Sequence, residues 1–229
     1  MAHYLIHSSN QRFWYVKDYL IPSMLMQGIS AQNIFVYKDK NDIGNLRAFI
    51  DSCNRASYQC QRKDINGLWH LQDDVIISED FARKTQLYDN GIVCGFTCNY
   101  DQKPEEGCFQ VYEHKMWFSF PCIRIPTDIL AEFSNWANLN LWQSKYFRSA
   151  VHRNNSDDLV FREWLYDNHP SAQHLNLAPN IVNHIDSYIG GTLCNKQRDK
   201  DYDTMSIFWE DKGELENLAR FLLDKDINI

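Results

Sequence analysis

Between Gly67 and Ser78 the chain reads Gly-Leu-Trp-His-Leu-Gln-Asp-Asp-Val-Ile-Ile-Ser, two apolar runs with a pair of carboxylates set between them. Short apolar runs of this kind read as buried strands, so Asp73 and Asp74 fall where a buried strand ends. A carboxylate there is costly unless a positive group meets it. Two readings of the pair stand side by side. One is a tight turn, in which Asp is a common residue. The other is a site for a divalent ion that bridges to a substrate diphosphate, since Mg²⁺ is usually held by one or two carboxylates plus phosphate oxygens.

The flanking sequence gives this strand neighbours. His3 to His7 reads as a buried strand, and Ser8 and Gln11 have capping-box spacing for a helix beginning near residue 10. That helix carries Phe13, Tyr15, Val16 and Leu20, is disturbed at Pro22 and ends at Gly28. Asn33 to Tyr37 forms a second strand. Leu46, Phe49, Ile50 and Cys53 then recur at the spacing of an amphipathic helix. Phe81 to Tyr88 is helical, and Ile92 to Phe96 is a further apolar run. The alternation predicts an α/β fold, a mostly parallel sheet with helices on both faces. In such sheets ligands sit at the carboxyl ends of the strands, and Ser8, Asp39 and Asp74 all fall there.

The second half is less regular. Met116 to Phe120 reads as a strand, and Pro126 precedes a helix through Ile129, Leu130, Phe133 and Trp136. Ser156, Asp157 and Asp158 cap a helix through Leu159, Phe161, Trp164 and Leu165. Leu215, Leu218, Phe221 and Leu222 mark a final helix. No linker separates these parts, so the chain reads as one domain. It divides into a nucleotide-binding half over 1–98, an acceptor and catalytic half over 99–192 and a C-terminal extension with a helix over 193–229.

A net charge of −7 argues against broad adhesion to nucleic acid or anionic membrane. No apolar run reaches the roughly 18 residues that span a bilayer, and the N-terminus lacks the features of a signal peptide. The early strand implies a native start. Seven scattered cysteines without paired zinc spacing fit reduced thiols, and the expected location is cytoplasmic.

Four pieces, in order along the chain, carry a resemblance. They are the first strand with Ser8, Ser9 and Arg12; the second strand ending near Asp39; Gln72-Asp73-Asp74; and a late Pro179-Asn180-Ile181-Val182-Asn183-His184-Ile185. Together they resemble the GT-A glycosyltransferases, nucleotide-sugar-dependent enzymes with a DxD-type metal motif. Several branches of that family write the motif Glu-Asp-Asp, where this chain has Gln72. The resemblance implies a GT-A fold over about residues 3–192 and a nucleotide-sugar donor, UDP-linked in the leading reading. It also implies Mn²⁺ or Mg²⁺ held by Asp74 and His184, and small residues, Gly190 and Gly191, at the diphosphate.

The chemistry asked of each residue follows. Departure of a nucleoside diphosphate builds charge on the β-phosphate, which a metal stabilises. Asp73 would contact the ribose or the donor sugar. Asp39 would accept the N3–H of a uracil, or else be a solvated turn residue in Lys-Asp-Lys-Asn-Asp. Ser8, Ser9 and Arg12 would meet base or phosphate, although Ser8 is also explained as a helix cap. His184 also reads as a hydrogen-bonded, half-buried histidine. Asp157 and Asp158 are the candidates for a general base in an inverting transfer, and acidic residues also suit a helix N-terminus for electrostatic reasons.

Trp142, Lys145, Tyr146, Phe147, Arg148, His152 and Arg153 interleave aromatics and cations. That suits nucleic-acid recognition, or equally a helix with one core face and one solvated basic face. The acceptor would be a glycan, a small molecule or a modified base in phage DNA. Competing classes are a nucleotidyltransferase, for which a Gly-rich phosphate loop is missing, and an inactive binding protein on the same fold. No P-loop, dinucleotide fingerprint, HExxH or serine nucleophile elbow is present.

Overall fold

A computed structural model of the chain describes residues 1–96, 110–113, 120–149, 157–177, 180–185, 189 and 212–225. Among these residues a sheet of seven strands forms the centre. The strands are β1 (Tyr4–Ser9), β2 (Ile34–Asp39), β3 (Gly67–Gln72), β5 (Ile92–Cys94), β6 (Gln110–Glu113), β7 (Cys122–Pro126) and β8 (Gln173–Asn176). Their spatial order is β2-β1-β3-β7-β5-β8-β6. β2, β1, β3, β5 and β8 run one way, and β7 and β6 run against them. The sheet is therefore mostly parallel, as the alternation of strands and helices predicts. A separate antiparallel pair joins β4 (Val75–Ile77) to β9 (Val182–His184), with Val75 opposite His184.

Side chains alternate across the sheet with the period of two that a pleated strand imposes. Tyr4, Ile6, Trp69, Leu71 and Val93 enter one apolar cluster, and Leu5, Leu68, Ile92, Cys94, Ile123 and Ile125 enter the other. The first cluster is covered by the helical segment Phe13–Met26, by α4 (Phe81–Leu87), by the β4–β9 pair and by α8 (Lys212–Asp224). The second is covered by α3 (Asn45–Lys63), α5 (Thr127–Asn140) and α7 (Asp157–Asn168). Helices thus pack on both faces.

Several local outcomes differ from expectation. The first helix begins at Phe13, not near residue 10, because Ser9 Oγ accepts the Arg12 N–H at 3.2 Å while Ser8 turns toward β3. Ser8 is therefore not a helix cap. The segment comprises α1 (Phe13–Tyr15), a π-helical turn over Val16–Leu20 and α2 (Ile21–Met26). Pro22 has no N–H and its ring would crowd the carbonyl of Asp18. The wider turn, in which the Ile21 N–H reaches the Val16 carbonyl, takes the place of a break. Gly28, at φ +81°, ends the segment as expected.

β7 is one of the strands, with β6 and β8, that the sequence reading does not contain; it follows Pro121, ends on Pro126 and carries a charge at its centre. Arg124 is buried because Asp89 Oδ1, the Gly91 carbonyl and Asn66 Oδ1 all accept from its guanidinium, at 2.8, 2.7 and 3.2 Å. Gly67 is needed alongside, since a Cβ there would lie 2.6 Å from Arg124 Nη2. The expected strand over 116–120 lies outside the described residues except for Phe120, which is in no strand. The final helix is present as α8, where Phe221 stacks on Trp14 with ring centroids 6.5 Å apart.

Candidate functional site

Because β1, β2 and β3 are parallel neighbours, their carboxyl ends bring Ser9, Asp39 and Gln72 to one edge. The turn after Gln72 holds Asp73 and Asp74 there, both buried. Asp73 ties β3 to β1: its Oδ2 accepts from Ser9 N at 2.7 Å, Ser9 Oγ at 2.9 Å and Ser8 Oγ at 3.3 Å. Its Oδ1 faces Arg12 Nη1 at 3.4 Å. The same Nη1 donates to Asp74 Oδ2, and His184 Nε2 lies 3.2 Å from Asp74 Oδ1. β4 and β9 deliver His184, and the Ile185 N–H bonds the Asp74 carbonyl at 2.8 Å. Six predicted site residues, Ser8, Ser9, Arg12, Asp73, Asp74 and His184, therefore converge.

The two carboxylates differ in charge environment. Burial alone would push Asp74 up, but the charges and hydrogen bonds of His184 and Arg12 outweigh it and hold the group well below the usual carboxylate range. Burial and the neighbouring Asp74 charge push Asp73 up, with Arg12 and Ser9 offsetting part of that. Behind them His7 is lowered to about 4 and His70 to about 3, in both cases mainly by burial. These imidazoles are neutral at pH 7 and supply no countercharge.

Asp74 Oδ1 and His184 Nε2 fit a shared divalent ion. Cis ligands on an octahedral ion with bonds of about 2.1 Å sit about 3.0 Å apart, close to the 3.2 Å between these atoms. Among the described residues no set of three His, Cys, Asp or Glu side chains converges for a metal. Asp74 and His184 are therefore the two side chains here that could hold an ion, and they form an ion pair as they stand.

Asp39 is buried at the end of β2, and its carboxylate accepts the N–H groups of Asn41 at 3.2 Å and Ile43 at 2.9 Å. It holds the turn as the second reading has it, but from a buried position and not a solvated one. Gly190 and Gly191 lie outside the described residues, as do His152 and Arg153. Within α6 (Lys145–Arg148), Lys145 and Arg148 are exposed while Tyr146 and Phe147 pack on the core. This part of the aromatic-basic run is a helix with one core face and one solvated face.

The sequence leaves Asp157 and Asp158 equivalent, and the fold separates them. Asp158 Oδ1 accepts the N–H of Leu159 at 2.8 Å, within the first turn of α7, and the residue is partly exposed. Asp157 is buried against β3: its Oδ1 accepts from Asn45 Nδ2 at 3.1 Å and its Oδ2 from Gln72 Nε2 at 3.4 Å. Burial, reinforced by Asp158, pushes the Asp157 carboxyl up to about 7. Sequence reasoning did not single out Asn45; its place just after Gly44, at the start of α3, is the one signal that could have.

No known family's sequence profile matches the chain, and no curated protein sequence matches it significantly. Solved structures do match. One, a glycosyltransferase involved in the glycosylation of the major capsid of PBCV-1, superimposes with a TM-score of 0.50 at 9% identity, covering 88% of this chain and 98% of that one. Another, A197 from STIV, has a TM-score of 0.43 at 13% identity, covering 80% of this chain and 85% of that one. The first likeness shows a glycosyltransferase-like fold.

Proposed function

We propose that this chain, which has a glycosyltransferase-like fold, is a metal-dependent glycosyltransferase that moves a sugar from a nucleotide-sugar donor, UDP-linked, to a hydroxyl acceptor with inversion. One observation carries the reading. Gln72, the residue before the Asp73-Asp74 pair, touches Asp157, so a diphosphate-site motif and a base candidate share one edge of the sheet.

In this reading Arg12 fixes the two carboxylates of the motif, and Asp73 holds Ser8 and Ser9 in place. Asp74 and His184 would hold Mn²⁺ or Mg²⁺, which supplies Lewis-acid stabilisation of the charge that develops on the β-phosphate. Asp157 takes the proton from the acceptor hydroxyl. The hydroxyl oxygen forms its bond to the anomeric carbon as the bond from that carbon to the phosphate oxygen breaks, and the electron pair leaves with the diphosphate. A base whose pKa lies near the working pH suits that step, and Asp157 is pushed to about 7.

The test is a thermal-shift panel of UDP-, GDP-, ADP- and CMP-linked ligands, with and without Mn²⁺, on the wild type and Asp74→Ala. Ligand binding raises apparent stability by mass action. Stabilisation by UDP-linked ligands that needs Mn²⁺ and is lost in Asp74→Ala is the expected result. No shift with any nucleotide overturns the reading in favour of a binding protein on this fold. Nucleotide-dependent release of pyrophosphate would instead point to a nucleotidyltransferase.

A further inference from the structure

Asp157 is held in an unusual way for a buried carboxylate. Among the described residues no cation pairs with it. The groups that face it are Asn45 and the Cys53 thiol from α3, Gln72 from the end of β3, and Asp158 from its own helix. Each oxygen receives one side-chain amide donor, the two coming from different elements that meet at the sheet edge, and backbone N–H groups at the start of α7 add to them. Such an arrangement fixes the plane of the carboxylate with neutral donors alone.

Resting on the glycosyltransferase reading, we infer that Asn45 and Gln72 are positioning residues, a neutral amide clamp that orients the Asp157 carboxylate for proton transfer, and that this role requires a neutral side chain at position 72. A Glu there would set a second carboxylate where the Gln72 amide now lies, 3.4 Å from Asp157 Oδ2. Two adjoining carboxylates, one buried and the other half-buried, cannot both ionise readily, so they share a proton and one titrates higher. The base would then be protonated at the pH at which it must act. Charge stabilisation by a cation would fail in the opposite sense, by making Asp157 too weak a base. An amide avoids both outcomes.

The test uses the full chain with ¹³C-labelled aspartate, the Asp157 signal being assigned through Asp157→Asn. Gln72→Glu is expected to raise the Asp157 titration midpoint by about one pH unit or more, and the acid limb of the kcat/KM profile moves with it. Asn45→Ala and Gln72→Met are expected to lower kcat by about 10- to 100-fold with little change in KM, a fraction of what general-base catalysis supplies. An unmoved Asp157 midpoint in Gln72→Glu overturns the clamp. Should that variant fail to fold, a wild-type kcat in both Gln72→Met and Asn45→Ala overturns it instead. Absence of UDP binding in the wild type is a separate result that overturns the glycosyltransferase reading on which the clamp's role rests.

Discussion

Asp74 and Asp157 are two buried carboxylates at the same edge of one sheet, linked through the short stretch from Gln72, yet they are held by opposite means. Asp74 is met by the guanidinium of Arg12 and the imidazole of His184 and stays ionised. Asp157 is met by neutral amides, and burial beside Asp158 pushes its carboxyl up to about 7. Residue type and burial are the same in both. What differs is whether the neighbouring elements supply charge or only hydrogen bonds. One environment makes a permanent anion suited to a cation, and the other makes a carboxylate that can both take and release a proton.

The strongest way to break this contrast is Asp157→Asn, which keeps the shape and removes the proton acceptor. It is expected to lower kcat by about 10²- to 10⁴-fold while leaving UDP binding in place, as steady-state kinetics and thermal shift would report. The same variant sharpens the stability side. Because the folded-state pKa of Asp157 is raised to about 7, the native state binds the extra proton, and stability falls as pH rises from about 4 to 7, by about 1.4 kcal/mol per unit for one proton. Denaturant titrations of Asp157→Asn across that range are expected to lack this slope, with the variant the more stable protein at pH 8.

Next in size, Arg12→Met removes the cation between Asp73 and Asp74. Leaving buried charges uncompensated costs about 3–5 kcal/mol, read as a loss of Tm of about 2–4 °C for each kcal/mol in a chain of this length. Here the sign is reversed. Asp74 is held below its usual range, so the stability it gains is present above about pH 4 and is lost as pH falls. The deficit of Arg12→Met is therefore expected to be largest near neutrality and to narrow in acid. Ser9→Ala deletes one of the donors to Asp73 and is expected to cost about 1–3 kcal/mol, the range for leaving a buried acceptor short of a partner. The smallest effect belongs to Asp158→Ala, about 0.3–1 kcal/mol from the lost helix-terminus interaction, with a smaller fall in kcat than Asp157→Asn.

Much of the first hundred residues is legible from sequence because local pattern and tertiary need coincide there. The apolar runs at Tyr4–Ile6 and Leu68–Leu71 become central strands, and the i, i+3, i+4, i+7 set in Leu46–Cys53 faces the core. β7 is illegible for the converse reason. Arg124 reads as a surface charge until the turn carrying Asp89 and Gly91 and the residue Asn66 are brought round it from two separate places. Ser8 misleads in the same way. Its spacing to Gln11 is that of a cap, but the strand pairing of β1 with β3 offers its hydroxyl the Asp73 carboxylate instead.

The amino-acid sequence alone determined the class of fold, the strand ends that carry polar residues and the set of side chains able to do chemistry there. Hydrophobic periodicity and turn residues act over a few positions and do not need the rest of the chain. The tertiary structure alone decided that Arg12 and not solvent faces the Asp73-Asp74 pair, that Asp157 and not Asp158 is buried against Gln72, and hence which carboxylate stays charged. Those outcomes depend on desolvation and on partners up to 112 positions apart, as Asn45 and Asp157 are. No window of sequence contains both.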